Sequence, residues 1–315
     1  MYFIKLIRPI NLAIIVLTMY GVQFYIRTVN YFQKIDDDQI DFFLLVFSTV
    51  LIAAAGNIIN DYFDVKADRI NKPEKLIITK HISRRWAILT HWTFNGIAFS
   101  IAIYLSIKYQ SLWFVFIHLL SINALWFYSM LFKRKILTGN LLIAILTALI
   151  PILVVIYYKV GNTYHLEHSE FNSDSWVAII DFRVIYLLSI FAFIQNFARE
   201  IVKDAQDIEG DKLIYVKSLP MQIGQMNSLR IVSVILLFLP LFYFWMSYSK
   251  FNEMIASTPF YLATVPFGIA ALINLFVVVL IYVDKNKRLK LYDALIKISM
   301  LFGVLATFYI AYFYL

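Results

Sequence analysis

The chain contains no cysteine among its 315 residues. Thiol catalysis and cysteine-held metals are excluded, while the compartment stays open. Charge is scarce too: Asp, Glu, Lys and Arg make up 15% of the chain, too little polar surface for a soluble protein of this size. No Pro-, Gly- or Ser-rich linker interrupts the sequence, which predicts one domain over residues 1–315. No segment alternates apolar and polar residues as the strands of a membrane barrel do. No small-residue cleavage site follows the first apolar run, so that run is read as a span and not as a removable signal.

What is present in excess is apolar length. Hydrophobic residues are 61% of the chain and the mean hydropathy is +0.74. They fall into nine runs, near 10–27, 40–60, 86–107, 111–131, 138–158, 183–203, 228–248, 260–283 and 292–314. Runs of about twenty residues match a hydrocarbon core of about 30 Å. Lipid leaves helices or closed barrels as the only spanning structures. The expectation is therefore an all-α polytopic membrane protein, a bundle of nine transmembrane helices.

With the N-terminus inside, 19 of the 28 Lys and Arg residues fall in inner segments and six in outer ones. That bias predicts a cytoplasmic N-terminus and an outside C-terminus. It also accounts for the net charge of +8 without any nucleic-acid partner. Aromatic residues, 17% of the chain, are read mostly as helix contacts and interfacial belts. The polar outer segment 159–176 is read as a solvated loop.

Two inner segments break this pattern. "NIINDYFDVKADRINKP" (57–73) carries Asn57, Asn60, Asp61, Asp64 and Asp68, and "EIVKDAQDIEGD" carries Glu200, Lys203, Asp204, Asp207 and Asp211. Each member of the second set follows its counterpart by 143 positions. At ~100° per residue each set lies within an arc of about 100° on one helix face. Gly210 is the residue expected to end the second helix, ahead of Asp211. Such carboxylates repel one another unless a cation sits between them. Oxygen ligands without His or Cys favour a hard ion such as Mg²⁺, which completes its shell with water and substrate phosphates. Arg69, Lys72, Lys75, Lys133, Arg134, Lys203, Lys212 and Lys217 lie nearby in sequence and suit the remaining phosphate charge. The residues thus suggest a Mg²⁺–diphosphate site at the cytoplasmic mouth of a helical bundle. A third acidic group, Asp37, Asp38 and Asp41 in "DDQID", lies in the first outer loop with no second copy and few neighbouring cations. It is read as a decoy.

"NDYFDVKADRINKP" and "REIVKDAQDIEGDK…KSLP…G" resemble the two signatures of the UbiA-type intramembrane prenyltransferases. "RPIN" at the first span, "YSMLFKRKILTGN" after the fourth and the nine-span count extend the resemblance over nearly the whole chain. Within the family, "LIRPIN", "NDYFD" and "AREIVKD" most resemble the digeranylgeranylglyceryl phosphate synthases, which add a second prenyl chain in archaeal-type ether lipids. Where relatives commonly read R-P-I-P-x-G after the first signature, this chain has "EKLIITK", with Lys75 in the place of the arginine.

The resemblance implies Mg²⁺-dependent transfer from a prenyl diphosphate to a lipid acceptor, with an aromatic acid of quinone synthesis as the alternative. It implies two Mg²⁺ ions held by Asn60, Asp64, Asp68, Asp207 and Asp211, supported by Asp61 and Asp204. Lys133 and Arg134 would grip the diphosphate, and Arg8 with Asn11 would lie near the acceptor. Asn57, Arg69, Lys75, Lys203 and Lys217 complete the expected substrate-binding set, and Asp64, Asp68, Asp207 and Asp211 are the expected catalytic residues.

Rival classes lack their marks. A transporter would carry acids in mid-membrane, whereas here both stripes sit at one face. A CDP-alcohol phosphotransferase needs an Asp-Gly pair, and the chain has none. The histidine-rich signature of a haem O synthase is also missing.

Overall fold

The computed structural model describes residues 2–29, 38–71, 73–168, 182–213, 216–248 and 265–312. Their regular structure is helical: α1 (Tyr2–Leu6), α2 (Pro9–Val29), α3 (Gln39–Asn71), α4 (Arg84–Lys108), α5 (Trp113–Met130) and α6 (Thr138–His168). There follow α7 (Arg183–Gln206), α8 (Ile208–Leu213), α9 (Leu219–Ile223), α10 (Gln225–Tyr248), α11 (Val265–Val283) and α12 (Leu289–Tyr312). Among the described residues nine of these are long and apolar enough to cross a membrane, and each matches one predicted run. The chain is an integral, multi-pass membrane protein.

Close packing of the spans depends on small residues at crossing points, since lipid removes the usual hydrophobic drive between helices. Gly303 of α12 is one such point, because a Cβ there would collide with the ring of Phe191 on α7. The pairs α3–α4, α6–α7 and α11–α12 lie alongside one another, and α12 packs on both α2 and α7. This leaves α2, α3, α5, α6, α7 and α12 around a central space.

Three departures from the expected elements bear on the site. First, α3 does not stop near residue 60 but runs unbroken for 33 residues. At 1.5 Å per residue that is about 50 Å, so its acidic end projects well beyond the hydrocarbon. Second, α6 continues to His168, so the first part of the expected outer loop 159–176 is helix; residues 169–176 lie outside the described ones.

Third, the second stripe is not on a single helix. The break falls at Asp207 (φ −102°, ψ 9°) and not at Gly210, and a short helix restarts at Ile208. The Asp207 N–H is shared between the carbonyls of Lys203 and Asp204, at 3.1 and 3.3 Å. The amide of Asn71, at the end of α3, fastens the break. Its Nδ2 donates to the Asp207 carbonyl at 2.9 Å, and its Oδ1 accepts from the Gly210 N–H at 2.7 Å. Gly210 is required because a Cβ would lie 2.7 Å from the Ala67 carbonyl oxygen. The interruption therefore has a tertiary cause, which is the close approach of α3.

The opposite end of α3 explains the decoy. Asp41 is fully buried and its Oδ2 receives Lys108 Nζ and Tyr109 OH, each at 2.7 Å, while Tyr104 OH reaches its Oδ1 at 3.2 Å. Lys108 also bonds Asp38 at 2.7 Å. The expected shortage of cations there is corrected: Lys108 serves both carboxylates. Asp37 lies outside the described residues.

Candidate active site

The central space is a cavity of about 290 Å³. Its deeper wall is apolar, with Ile117, Leu149, Ile150, Leu153 and Leu188. Its other end is polar, lined by Arg8, Asn11, Asn57, Asn60, Tyr128, Arg199, Glu200, Lys203 and Lys297. The cavity is thus suited to a ligand with a long apolar tail and a charged head. His118 lines it as well, but its Nδ1 donates to the Phe114 carbonyl at 2.8 Å and its Nε2 faces Ser48 Oγ at 2.8 Å.

Along the first stripe, Asn57 Nδ2 donates to the Ile7 carbonyl at 3.0 Å, tying α3 to the joint between α1 and α2. Arg8 sits in that joint with φ +56°, a left-handed conformation unusual for a non-glycine residue. It is held by an ion pair with Asp61. Burial disfavours the Arg8 charge, but Asp61, Asp64 and Asp68 outweigh it and the pKa is raised. Asn60 Nδ2 donates to Asp64 Oδ2 at 2.9 Å. Asp64, only 6% exposed, is ion-paired with Lys133. Burial works against the Lys133 charge too, yet Asp64 foremost, with Asp211, raises its pKa.

The second stripe comes to the same place. Asp211 is 4% exposed and within electrostatic reach of Lys133 and of Asp204. Asn140 Nδ2 holds Asp204 at 2.8 Å. Lys133 therefore stands between the two signatures, and Asn71 binds their backbones together. Lys203 turns to Glu200, at 2.7 and 3.0 Å, and lines the cavity.

Other expected residues stay outside. Arg69, Arg134 and Lys217 are exposed, and the Lys217 N–H donates to the Arg134 carbonyl at 3.1 Å; none of the three lines the cavity, and neither do Lys133 or the carboxylates Asp61, Asp64, Asp68, Asp204, Asp207 and Asp211. Lys72 and the side chain of Lys75 lie outside the described residues. The "EKLIITK" segment does not form a polar phosphate loop. Its Leu76, Ile77 and Ile78 pack with Leu6, Ile58 and Val65 under α1.

Does this donor set suit Mg²⁺? Among the described residues no three His, Asp or Glu side chains are close enough to hold a metal unaided. The carboxylates of two helices nonetheless meet around one lysine, and Asn60 Oδ1 is buried with no hydrogen-bond partner. Hard oxygen donors in an open arrangement fit an ion that keeps waters and takes phosphate oxygens.

Several residues around the mouth escaped the sequence reading: Asn71, Tyr128, Asn140, Arg199 and Lys297. Asn71 follows Asp68 by three positions, so it continues the helical stripe, and that period was the available signal. Tyr128 and Asn140 open and close the "YSMLFKRKILTGN" segment.

Fold and site together define a class: intramembrane proteins with paired acidic signatures at the polar mouth of an apolar cavity. The chain belongs to the UbiA prenyltransferase family, whose model matches residues 33–302. It is 34% identical over 192 residues to the digeranylgeranylglyceryl phosphate synthase of Haloquadratum walsbyi, covering 61% of this chain and 59% of that relative. A solved structure of digeranylgeranylglyceryl phosphate synthase in membranes superposes with a TM-score of 0.62 at 22% identity, over 98% of this chain and 97% of that one. A UbiA homologue from Archaeoglobus fulgidus, solved with GPP and Mg²⁺, gives a TM-score of 0.54 at 16% identity, over 98% and 99%. At such identities the structural likeness shows the fold.

Proposed function

We propose that this protein transfers a geranylgeranyl group from its diphosphate to the free hydroxyl of a glyceryl-phosphate lipid that already carries one prenyl chain. The observation that carries the reading is the approach of both acidic signatures to Lys133, which is itself within electrostatic reach of Tyr128 and Glu200 at the polar end of an apolar cavity. The relatives' names and the Mg²⁺ and GPP bound by the Archaeoglobus homologue support it. The orientation proposed is N-terminus cytoplasmic, C-terminus outside and site at the cytoplasmic face, supported by the inner excess of cations. One domain spanning 1–315 is part of the same reading.

Asn60, Asp64, Asp68, Asp207 and Asp211 would hold Mg²⁺, with Asp61 and Asp204 in support. When bound, Mg²⁺ neutralises diphosphate oxygens and makes the diphosphate a better leaving group. Lys133 adds a fixed positive charge beside those oxygens. The allylic C–O bond breaks, its electron pair leaving with the diphosphate and positive charge remaining on the prenyl carbon. Tyr128, which lines the cavity, would supply an aromatic ring to that charge. The apolar walls keep water from it. The acceptor oxygen then bonds to this carbon and passes its proton to the departed diphosphate. Arg8 and Asn11 are assigned to the acceptor side.

The test uses purified protein in membranes with Mg²⁺, labelled geranylgeranyl diphosphate, and either geranylgeranylglyceryl phosphate or 4-hydroxybenzoate. The expected product is the diprenyl glyceryl lipid, abolished by EDTA and restored by Mg²⁺. Efficient prenylation of the aromatic acid, with none of the glyceryl lipid, would overturn the acceptor assignment.

A further inference from the structure

We propose that Arg199 and Lys297, with Lys203 and Arg8, form a second anion site on the α7–α12 side of the cavity, built for the phosphomonoester headgroup of the acceptor lipid. This deepens the reading of the chain as a lipid prenyltransferase and rests on it.

Arg199 and Lys297 are charges inside spans, where a cation without a function is costly. Both line the cavity, on α7 and α12. The Arg199 side chain is only 11% exposed and is gripped from two sides. Its Nε lies 2.8 Å from Asp293 Oδ1 and its Nη1 lies 3.6 Å from Glu200 Oε1. Lys297, half-buried, makes no hydrogen bond or ion pair among the described residues. The charged groups it faces are Arg199, Asp293, Lys203 and Arg8. Three of those four repel it, so an anion is what the arrangement lacks.

The charge balance agrees. Arg8 is paired with Asp61, which leaves Arg199, Lys203 and Lys297 against Glu200 and Asp293, an excess of one positive charge. A phosphomonoester carries about −1.5 to −2 at neutral pH.

This site differs from the diphosphate end. Lys133 is ion-paired with Asp64 and does not line the cavity, whereas Lys297 lines it from α12. Below Lys297, Met300 and Val304 of α12 face the same cavity as Leu188 and Phe191 of α7. An acceptor anchored by its phosphate at Arg199 and Lys297 can therefore lay its prenyl chain along this wall.

The test compares wild type with Lys297→Gln and Lys297→Arg. In Lys297→Gln the KM for geranylgeranylglyceryl phosphate should rise roughly 10- to 100-fold, the loss of one charge-assisted contact. The KM for geranylgeranyl diphosphate should stay within about twofold, because the altered contact belongs to the other substrate. Preference for the phosphorylated acceptor over the same lipid without its phosphate should fall, and Lys297→Arg should restore most of it. An equal rise in both KM values, or an unchanged phosphate preference, overturns the site. A second arm measures equilibrium binding of labelled geranylgeranylglyceryl phosphate without donor or metal. Wild-type binding that Lys297→Gln weakens supports the site even where no product forms, in which case only the reaction assigned above has failed. Absent or unchanged binding rejects the site.

Discussion

The two ends of α3 both gather carboxylates and both receive a lysine, yet they are built for different purposes. At the N-terminal end Asp41 is enclosed, with Lys108, Tyr104 and Tyr109 meeting its oxygens. At the C-terminal end Lys133 reaches Asp64 and is within electrostatic reach of Asp211 from another helix, and Asn60 Oδ1 has no hydrogen-bond partner. A carboxylate ringed by donors ties helices together. Carboxylates brought together from separate helices, beside an orphaned acceptor, call for a further cation. Acidic spacing alone does not separate these cases; the completeness of the partners does.

The comparison breaks hardest at Asp64. Asp64→Ala should lower kcat/KM about 10²–10³-fold, the usual loss on removing one interaction with developing negative charge. Some stability should be lost too, because Lys133 and Asn60 lose their acceptor, so the rate is compared per folded molecule. A fall in stability without loss of rate would make this end structural as well.

Asp41→Ala should cost stability alone. Leaving Lys108 and two tyrosine hydroxyls short of an acceptor should cost about 1–3 kcal/mol of stability, with kcat/KM of the folded protein nearly unchanged. Denaturation midpoints and initial rates, measured on one preparation, would decide it. A rate loss matching that of Asp64→Ala would erase the distinction drawn above.

Asn71→Ala sharpens the C-terminal end of α3 alone. It removes two hydrogen bonds that set Asp207 and Gly210 against α3. At about 1 kcal/mol each, the Mg²⁺ concentration needed for half-maximal rate should rise roughly tenfold or more. A Mg²⁺ titration of rate checks this, and an unchanged requirement would mean the clasp does not position the second stripe.

The smallest effect belongs to Asp38. The Lys108 hydrogen bond holds its pKa below the ordinary carboxylate value, against a smaller desolvation effect. A lowered folded pKa contributes stability above the ordinary range that fades as pH falls through it. For a partly exposed pair the contribution is under about 1 kcal/mol. The stability difference between wild type and Asp38→Asn should therefore be present above the ordinary carboxylate range and shrink as the pH falls below it.

The first stripe could be read from the sequence because α3 is one helix from Gln39 to Asn71, so spacing alone defines its face. The second was legible only to Asp204. Its continuation turns at Asp207, because α3 and Asn71 crowd Gly210, and no local signal places that turn. The expected phosphate-gripping role of Arg69, Arg134 and Lys217 rested on proximity along the chain. Their side chains point to solvent, while Arg199 and Lys297, 98 positions apart, meet at the cavity.

By itself the sequence determined the nine spans seen among the described residues and the shared helix face of the first stripe. Lipid admits only long apolar helices, and carboxylates at helical spacing must share a face. Tertiary structure decided which charges are satisfied and which are kept for a ligand. A buried charge is settled by its partner, and here the partners come from helices far apart in the chain: Lys133 for Asp64, Lys108 for Asp41 and Asp293 for Arg199.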